Sequence, residues 1–175
     1  MIIDSDILDR TFVTSDYHFG SYKIGGIWKV FSKVQEDQLI EEWNKIVPRN
    51  ALVLYVGDFV DGDANDLESY MKRLNGDMIL IKGNHDVLDD IIYKKFFKAT
   101  YDYLDIENLK ISLHHKPFED IRPGYRKIFG HEHRCCKLDK FVMPDCFCSC
   151  VMRNGYVPLK LKDIIKWMDI EASKH

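Results

Sequence analysis

No apolar stretch in the 175-residue chain approaches the roughly 20 residues that span a bilayer. Its first residues, Met1-Ile2-Ile3-Asp4-Ser5-Asp6, are acidic where a secretory signal would be basic and then apolar. A membrane protein is therefore not expected, and the expected location is cytoplasmic. Also missing are internal repeats, low-complexity runs and any Pro/Gly/Ser-rich linker, which at this length points to one domain over residues 1–175. Cysteine is sparse and odd in number. The five thiols include an adjacent pair, Cys135-Cys136, and an alternating set, Cys146, Cys148 and Cys150, with no C-x2-C spacing of the common zinc sites. They read as reduced. Positive charge is not in excess either: Lys+Arg 25 against Asp+Glu 28 leaves a net charge of -3. Without a global basic field, a stable nucleic-acid partner is not expected.

What is present suits a compact domain. A hydrophobic fraction of 46% with 13% aromatic residues supplies a core, and 30% charged residues supply a wet surface, so disorder is excluded. Short apolar or β-branched runs at Thr11–Ser15, Ala51–Val56, Met78–Lys82, Leu109–His114 and Lys127–Phe129 predict strands, with Cys146–Met152 as a further alternating one. Between them, Val34–Val47 predicts a helix behind a capping box of Ser32 with Gln35, stopped by Pro48. Asp66–Leu74, Leu88–Phe97 and Leu161–Ile170 predict three more. Alternating strands and helices imply an α/β fold, whose ligands gather at the carboxyl ends of the strands.

Five polar clusters fall at those ends: Asp16-Tyr17-His18, Gly57-Asp58-Phe59-Val60-Asp61-Gly62, Gly83-Asn84-His85-Asp86, His114-His115 and Gly130-His131-Glu132-His133. Carboxylate, amide oxygen and imidazole are ligands for divalent ions. Side chains two apart on a strand point the same way, as Asp16/His18 and His131/His133 would. Alone, each pair is more often a solvated surface pair than a metal site, and Gly-Asn-His-Asp could be a turn after a strand. Together they argue for a metal site, because six of the seven histidines lie inside the clusters and the seventh is the C-terminal residue. His114 and His115 are strand neighbours facing opposite sides, so both cannot readily serve one centre. Cys146, Cys148 and Cys150 share one strand face; a soft-metal site and a buried strand using Cys as a small apolar residue both fit, the second better.

The ordered set D-x-H, G-D-x-x-D-G, G-N-H-D, strand-end His and G-H-x-H resembles the calcineurin-like metallophosphoesterases. Thr14-Ser15-Asp16-Tyr17-His18-Phe19-Gly20, Glu42-Trp43-Asn44, Leu80-Ile81-Lys82-Gly83-Asn84-His85-Asp86 and Gly155-Tyr156-Val157-Pro158-Leu159 are similar to its small, capless bacterial and phage-type members, over about residues 11–165. Two positions depart from that pattern: Ser21 stands where a His is frequent, and His114 where Ser or Cys is.

The resemblance implies a four-layer αββα sandwich and a binuclear centre. Asp16, His18 and His133 would hold one ion, Asn84, His115 and His131 the other, with Asp58 bridging; His115 is preferred over His114 because the family's ligand precedes the proline of the next turn, here Pro117, by two residues. The expected cofactors are two divalent ions, Mn²⁺ first, with Fe, Zn and Ni as the other candidates. Such a pair acidifies a shared water, whose hydroxide attacks the phosphorus, and its positive charge draws phosphate despite the acidic whole. His85 would protonate the leaving oxygen or stabilise developing charge, Asp86 would fix the tautomer of His85, and Asp61 would sit behind the bridging region. Lys116, Arg122, Arg126 and Lys127 are candidates for contact with substrate phosphate. The expected activity is hydrolysis of phosphodiesters or small, nucleotide-like phosphate esters. Two alternatives remain: a non-catalytic scaffold of this fold, which the presence of His85 argues against, and a nuclease, for which neither cap domain nor basic stripe is visible.

Overall fold

The computed structural model describes residues 1–23, 31–133 and 145–174. Strands β1 (Thr11–Thr14), β2 (Leu52–Tyr55), β3 (Asp77–Ile81) and β4 (Ala99–Tyr101) run parallel, and β9 (Leu159–Lys160) lies antiparallel against β1, giving the order β4-β3-β2-β1-β9. A second sheet has the order β5-β6-β7-β8, built from β5 (Tyr103–Ile106), β6 (Ile111–His114), β7 (Arg126–Phe129) and β8 (Cys146–Cys148). There β6, β7 and β8 are parallel and β5 is antiparallel.

The apolar runs of the first sheet are continuous because both of its faces are covered. Alternate residues serve two cores. Val13, Leu54, Ile79 and Ile81 pack against Leu104, Ile106, Ile111, Leu113 and Ile128 of the second sheet. Phe12, Val53, Tyr55, Met78 and Leu80 face the other way, toward Leu39, Ile40 and Trp43 of α2 (Lys33–Ile46), Leu67 and Tyr70 of α3 (Ala64–Met71), and Tyr93 of α4 (Asp90–Tyr93). Helix α5 (Leu161–Ala172) sends Leu161, Ile164 and Met168 into the inter-sheet core, with α1 (Ser5–Asp9) beside it. The result is a mixed α/β fold of two sheets flanked by helices, as the αββα expectation requires. The capping box is formed as read: Ser32 accepts from Gln35 N–H while the Gln35 side chain accepts from Ser32 N–H.

Several boundaries move. The helix expected over Leu88–Phe97 contracts to α4, because Asp89 caps it and Tyr93–Phe97 continues only as turns. Helix α3 spans Ala64–Met71 rather than Asp66–Leu74, started by a capping box between Asp63 and Asp66. The strand expected over Cys146–Met152 ends at Cys148; Cys150 then bridges to Ser15 of the first sheet, and Val151–Arg153 forms a 3-10 turn. Cys146, Cys148 and Cys150 are free thiols, the latter two buried against Phe129. Burial pushes the Cys148 thiol up to about 11, which suits an apolar filler rather than a reactive thiolate. Cys135 and Cys136 lie outside the described residues. Among the described residues, no helix is long and apolar enough to cross a membrane.

Candidate metal centre

The polar clusters leave the carboxyl ends of β1, β2, β3, β6 and β7 and converge on one edge of the sandwich. The backbone turns sharply there. Asp16, His18, Asp58 and His131 have φ of 62°, 46°, 58° and 70°, four of the six non-glycine residues with positive φ among those described. Such a conformation costs about 1–2 kcal/mol per residue and persists only where the surroundings fix it. The fixing is visible as a seam between two loops: Asp16 N–H donates to Gly57 O, His18 N–H to Asp58 O, Phe19 N–H to Phe59 O, and Asp61 N–H back to Phe19 O, over 2.8–3.1 Å.

Close packing sets the strand ends against each other. A Cβ on Gly83 would meet Asp58 Oδ1 at 2.2 Å and Asp58 N at 2.6 Å, and one on Gly57 would meet His115 Nδ1 at 2.2 Å. Only glycine allows this approach.

Among the described residues three groups of donor atoms result; one is His18, Asp61 and His85, and the other two share Asp58. Asp16, His18, Asp58 and His133 offer atoms within 4.8 Å of one another, as do Asp58, His115 and His131. In the first of these two His18 Nε2 lies 3.1 Å from His133 Nε2 and 3.4 Å from Asp58 Oδ2, and His133 Nε2 lies 3.4 Å from Asp16 Oδ1. In the second, His115 Nε2 lies 3.2 Å from each of Asp58 Oδ2, Asn84 Oδ1 and His131 Nδ1. These seven side chains are the sequence-predicted ligand set. His114 stays apart: it lies on the outer face of the second sheet, bonded to Ser112 Oγ and Glu119 Oε2 and stacked on Tyr103.

The surrounding hydrogen bonds orient the donors. His115 Nδ1 donates to Val56 O at 2.9 Å, leaving Nε2 aimed at the cluster. Asp16 accepts from Ser15 Oγ and from His131 N–H, and Ser149 Oγ backs Ser15 at 3.0 Å. Neither serine was singled out by motif, although Ser15 precedes the first ligand directly. Asp61 Oδ2 accepts from His18 Nδ1 at 2.9 Å and its Oδ1 from His85 Nδ1 at 2.8 Å, so one carboxylate orients both rings.

Here the structure corrects the expected pairing of His85 with Asp86. Asp86 instead accepts from the backbone N–H of Asp58, Phe59 and Gly83 at 2.8–3.0 Å and anchors the loops. The reason is geometric: Asp86 is buried against the backbone of Asp58, Phe59 and Gly83, while the ring of His85, 34% exposed, lies beside His18.

Electrostatics follow the packing. Burial disfavours a charged Asp58, but His115, His18 and the His85 N–H outweigh it and hold the carboxyl down to about 2. Burial likewise opposes a charged His115, yet Asp58 and Asp16 push it up to about 9. His18 is raised too, its burial outweighed by Asp61, Asp58 and Asp16, whereas burial and then the neighbouring His115 lower His131. The donor chemistry, two carboxylates, one amide oxygen and four imidazoles, fits divalent transition ions.

Of the basic residues proposed for substrate contact, three are engaged elsewhere. Arg122 pairs with Asp105 and Glu107, Arg126 pairs with Asp169, and Lys127 donates to Pro117 O and Glu119 O. Lys116 remains at the site, lining with Lys82 a cavity of about 290 Å³ that opens beside Asn84 and His115.

Two sheets flanked by helices, with Asp and His side chains able to hold metal at the strand ends, are the architecture of the metal-dependent phosphoesterase class. A sequence model of the calcineurin-like phosphoesterases matches residues 10–138, and the chain belongs to that family. It is 27% identical over 131 residues to an uncharacterized protein of Methanocaldococcus jannaschii, covering 71% of this chain and 69% of that one. It is also similar to the crystal structure of a protein of unknown function from Aquifex aeolicus, with a TM-score of 0.69 and 26% identity over 89% of this chain and 97% of the other.

Proposed function

We propose that the chain is a binuclear-metal phosphoesterase acting on phosphodiesters or small phosphate esters. The supporting observation is the sharing of Asp58 between two groups of metal-competent donors. In this reading Asp16, His18, His133 and Asp58 would hold one divalent ion, and Asn84, His115, His131 and Asp58 the other, Mn²⁺ being the first choice. When bound, the ions would supply Lewis acidity for activating water and for neutralising phosphate charge.

The chain's own groups account for the rest. His85 is the exposed member of the His18–Asp61–His85 chain, while His18 is 3% exposed. With Nδ1–H donating to Asp61, proton exchange with substrate falls to Nε2. In this reading His85 is the acid for the leaving oxygen, at the solvent side of the donor cluster. Asp61 holds the ring's tautomer and direction, and Asp86 keeps Asp58 and Gly83 in register. A non-catalytic scaffold would have no use for an exposed, oriented His85.

Hydrolysis of bis(4-nitrophenyl) phosphate and 4-nitrophenyl phosphate by metal-depleted and Mn²⁺-reconstituted protein tests the proposal. Turnover should require added metal. Turnover surviving exhaustive chelation, or metal-loaded protein inert on mono- and diesters alike, would overturn it.

A further inference from the structure

We infer that Glu36 is a positioning residue that pins the loop carrying Asp16 and His18 from the helix behind it; this rests on the metal-site reading above. Glu36 occupies the inner face of α2, in step with Leu39, Ile40 and Trp43 at helical spacing, a row that otherwise carries core residues. Its exposure is 0%. A carboxylate there demands partners, since burying an unpaired charge is strongly unfavourable.

Both partners belong to the site's supports. Glu36 Oε1 accepts from Gly20 N–H at 2.8 Å, and Oε2 accepts from Tyr70 Oη at 2.5 Å. The Tyr70 ring in turn stacks on Phe19, centroids 4.7 Å apart and planes 19° apart. Phe19 and Gly20 immediately follow His18. At Gly20 the chain takes φ +84°, and Ser21 N–H closes back onto His18 O at 3.0 Å. The segment after the ligand is therefore held from two sides: the Asp58–Asp61 loop bonds one edge, and Glu36 bonds the other. The hydrogen bonds of Glu36 go to Gly20 and Tyr70; its effect is to keep His18 at the φ of 46° that aims Nδ1 at Asp61 and Nε2 at the cluster. Releasing the pin would relax a strained turn, and ligands that are not held in place bind metal more weakly.

The experiment compares Glu36→Leu, Glu36→Gln and Glu36→Asp with the wild type. Gln can accept from Gly20 N–H and donate to Tyr70 Oη; Leu can do neither, and Asp is one methylene too short. Three readouts are taken: Gly20 amide exchange in the metal-free protein, Mn²⁺ affinity by calorimetry, and kcat and KM on bis(4-nitrophenyl) phosphate. E36L should speed Gly20 exchange, weaken Mn²⁺ binding roughly tenfold, the lower end for groups behind metal ligands, and reduce kcat while leaving KM within about twofold. E36Q should restore all three. Where E36L does not fold, E36D carries the same expectation. Wild-type affinity and kcat in a folded E36L or E36D, with only a lower Tm, would overturn the inference, as would an E36Q that fails like E36L. Wild-type protein that binds no Mn²⁺ would overturn the metal-site reading instead, while Gly20 exchange would still test the pin.

Discussion

Filling the donor group of Asn84, His115 and His131 should expel a proton. In the metal-free protein both ring nitrogens of His115 face acceptors, Nδ1 toward Val56 O at 2.9 Å and Nε2 toward Asp58 Oδ2 at 3.2 Å. Burial opposes the charge, but Asp58 and then Asp16 hold the imidazolium up to about 9 from the ordinary 6.5. A metal takes the Nε2 lone pair and so competes with that proton. At pH 7, some two units below about 9, the competition should weaken apparent affinity about 100-fold, or about 3 kcal/mol at roughly 1.4 kcal/mol per unit. Affinity should therefore rise about tenfold per pH unit from 7 to 8.5. Calorimetric titration of Mn²⁺ into metal-free protein at pH 7, in two buffers of different ionisation enthalpy, should report about one proton released from this position, plus a contribution from His18, whose pKa is also raised. The same shift has a stability sign. Because the folded-state value lies above the unfolded one, His115 contributes stability fully present below about 6.5 and lost as pH rises through about 9, so the metal-free Tm should fall across that window. Affinity flat from pH 7 to 8.5 with no proton release would refute this reasoning.

Other expectations are more direct. His85→Ala should retain both ions while kcat falls roughly 10²–10⁴-fold, less for a nitrophenyl than for an alkyl leaving group; equal losses on both would reject the acid role. His115→Ala should lose one ion by elemental analysis, whereas His114→Ala should keep both and cost about 1 kcal/mol in denaturant unfolding, by losing the buried hydrogen bond between His114 and Ser112. Gly83→Ala should lose metal and activity, because a methyl there meets Asp58 Oδ1 at 2.2 Å; a fully loaded variant would contradict the close approach. Thiol titration of denatured, unreduced protein should find five reactive cysteines, and a structural zinc surviving removal of the site metals would overturn the core role of Cys148 and Cys150.

The sequence by itself determined which residues belong together. Each motif sits directly after a strand whose apolar run is readable, and the ordered set of motifs resembles one family; that resemblance, not strand geometry alone, is what picks the seven donors out of the five clusters. The capping box at Ser32 and the β2 and β3 runs were legible for a local reason: their signals are confined to a few consecutive residues. Elements without such signals were missed. Ser5–Asp9 is a single turn held by Asp4, and Ala99–Tyr101 and Tyr103–Ile106 are short, partly exposed edge segments given strand form by their neighbours. Tertiary structure alone decided the partnerships. It turned the strand of Cys148 across to Ser15, gave His85 to Asp61 rather than Asp86, and set Glu36 behind Gly20. Those pairings join residues from 16 to well over 100 positions apart along the chain, and only the packing of two sheets and a helix layer brings them together.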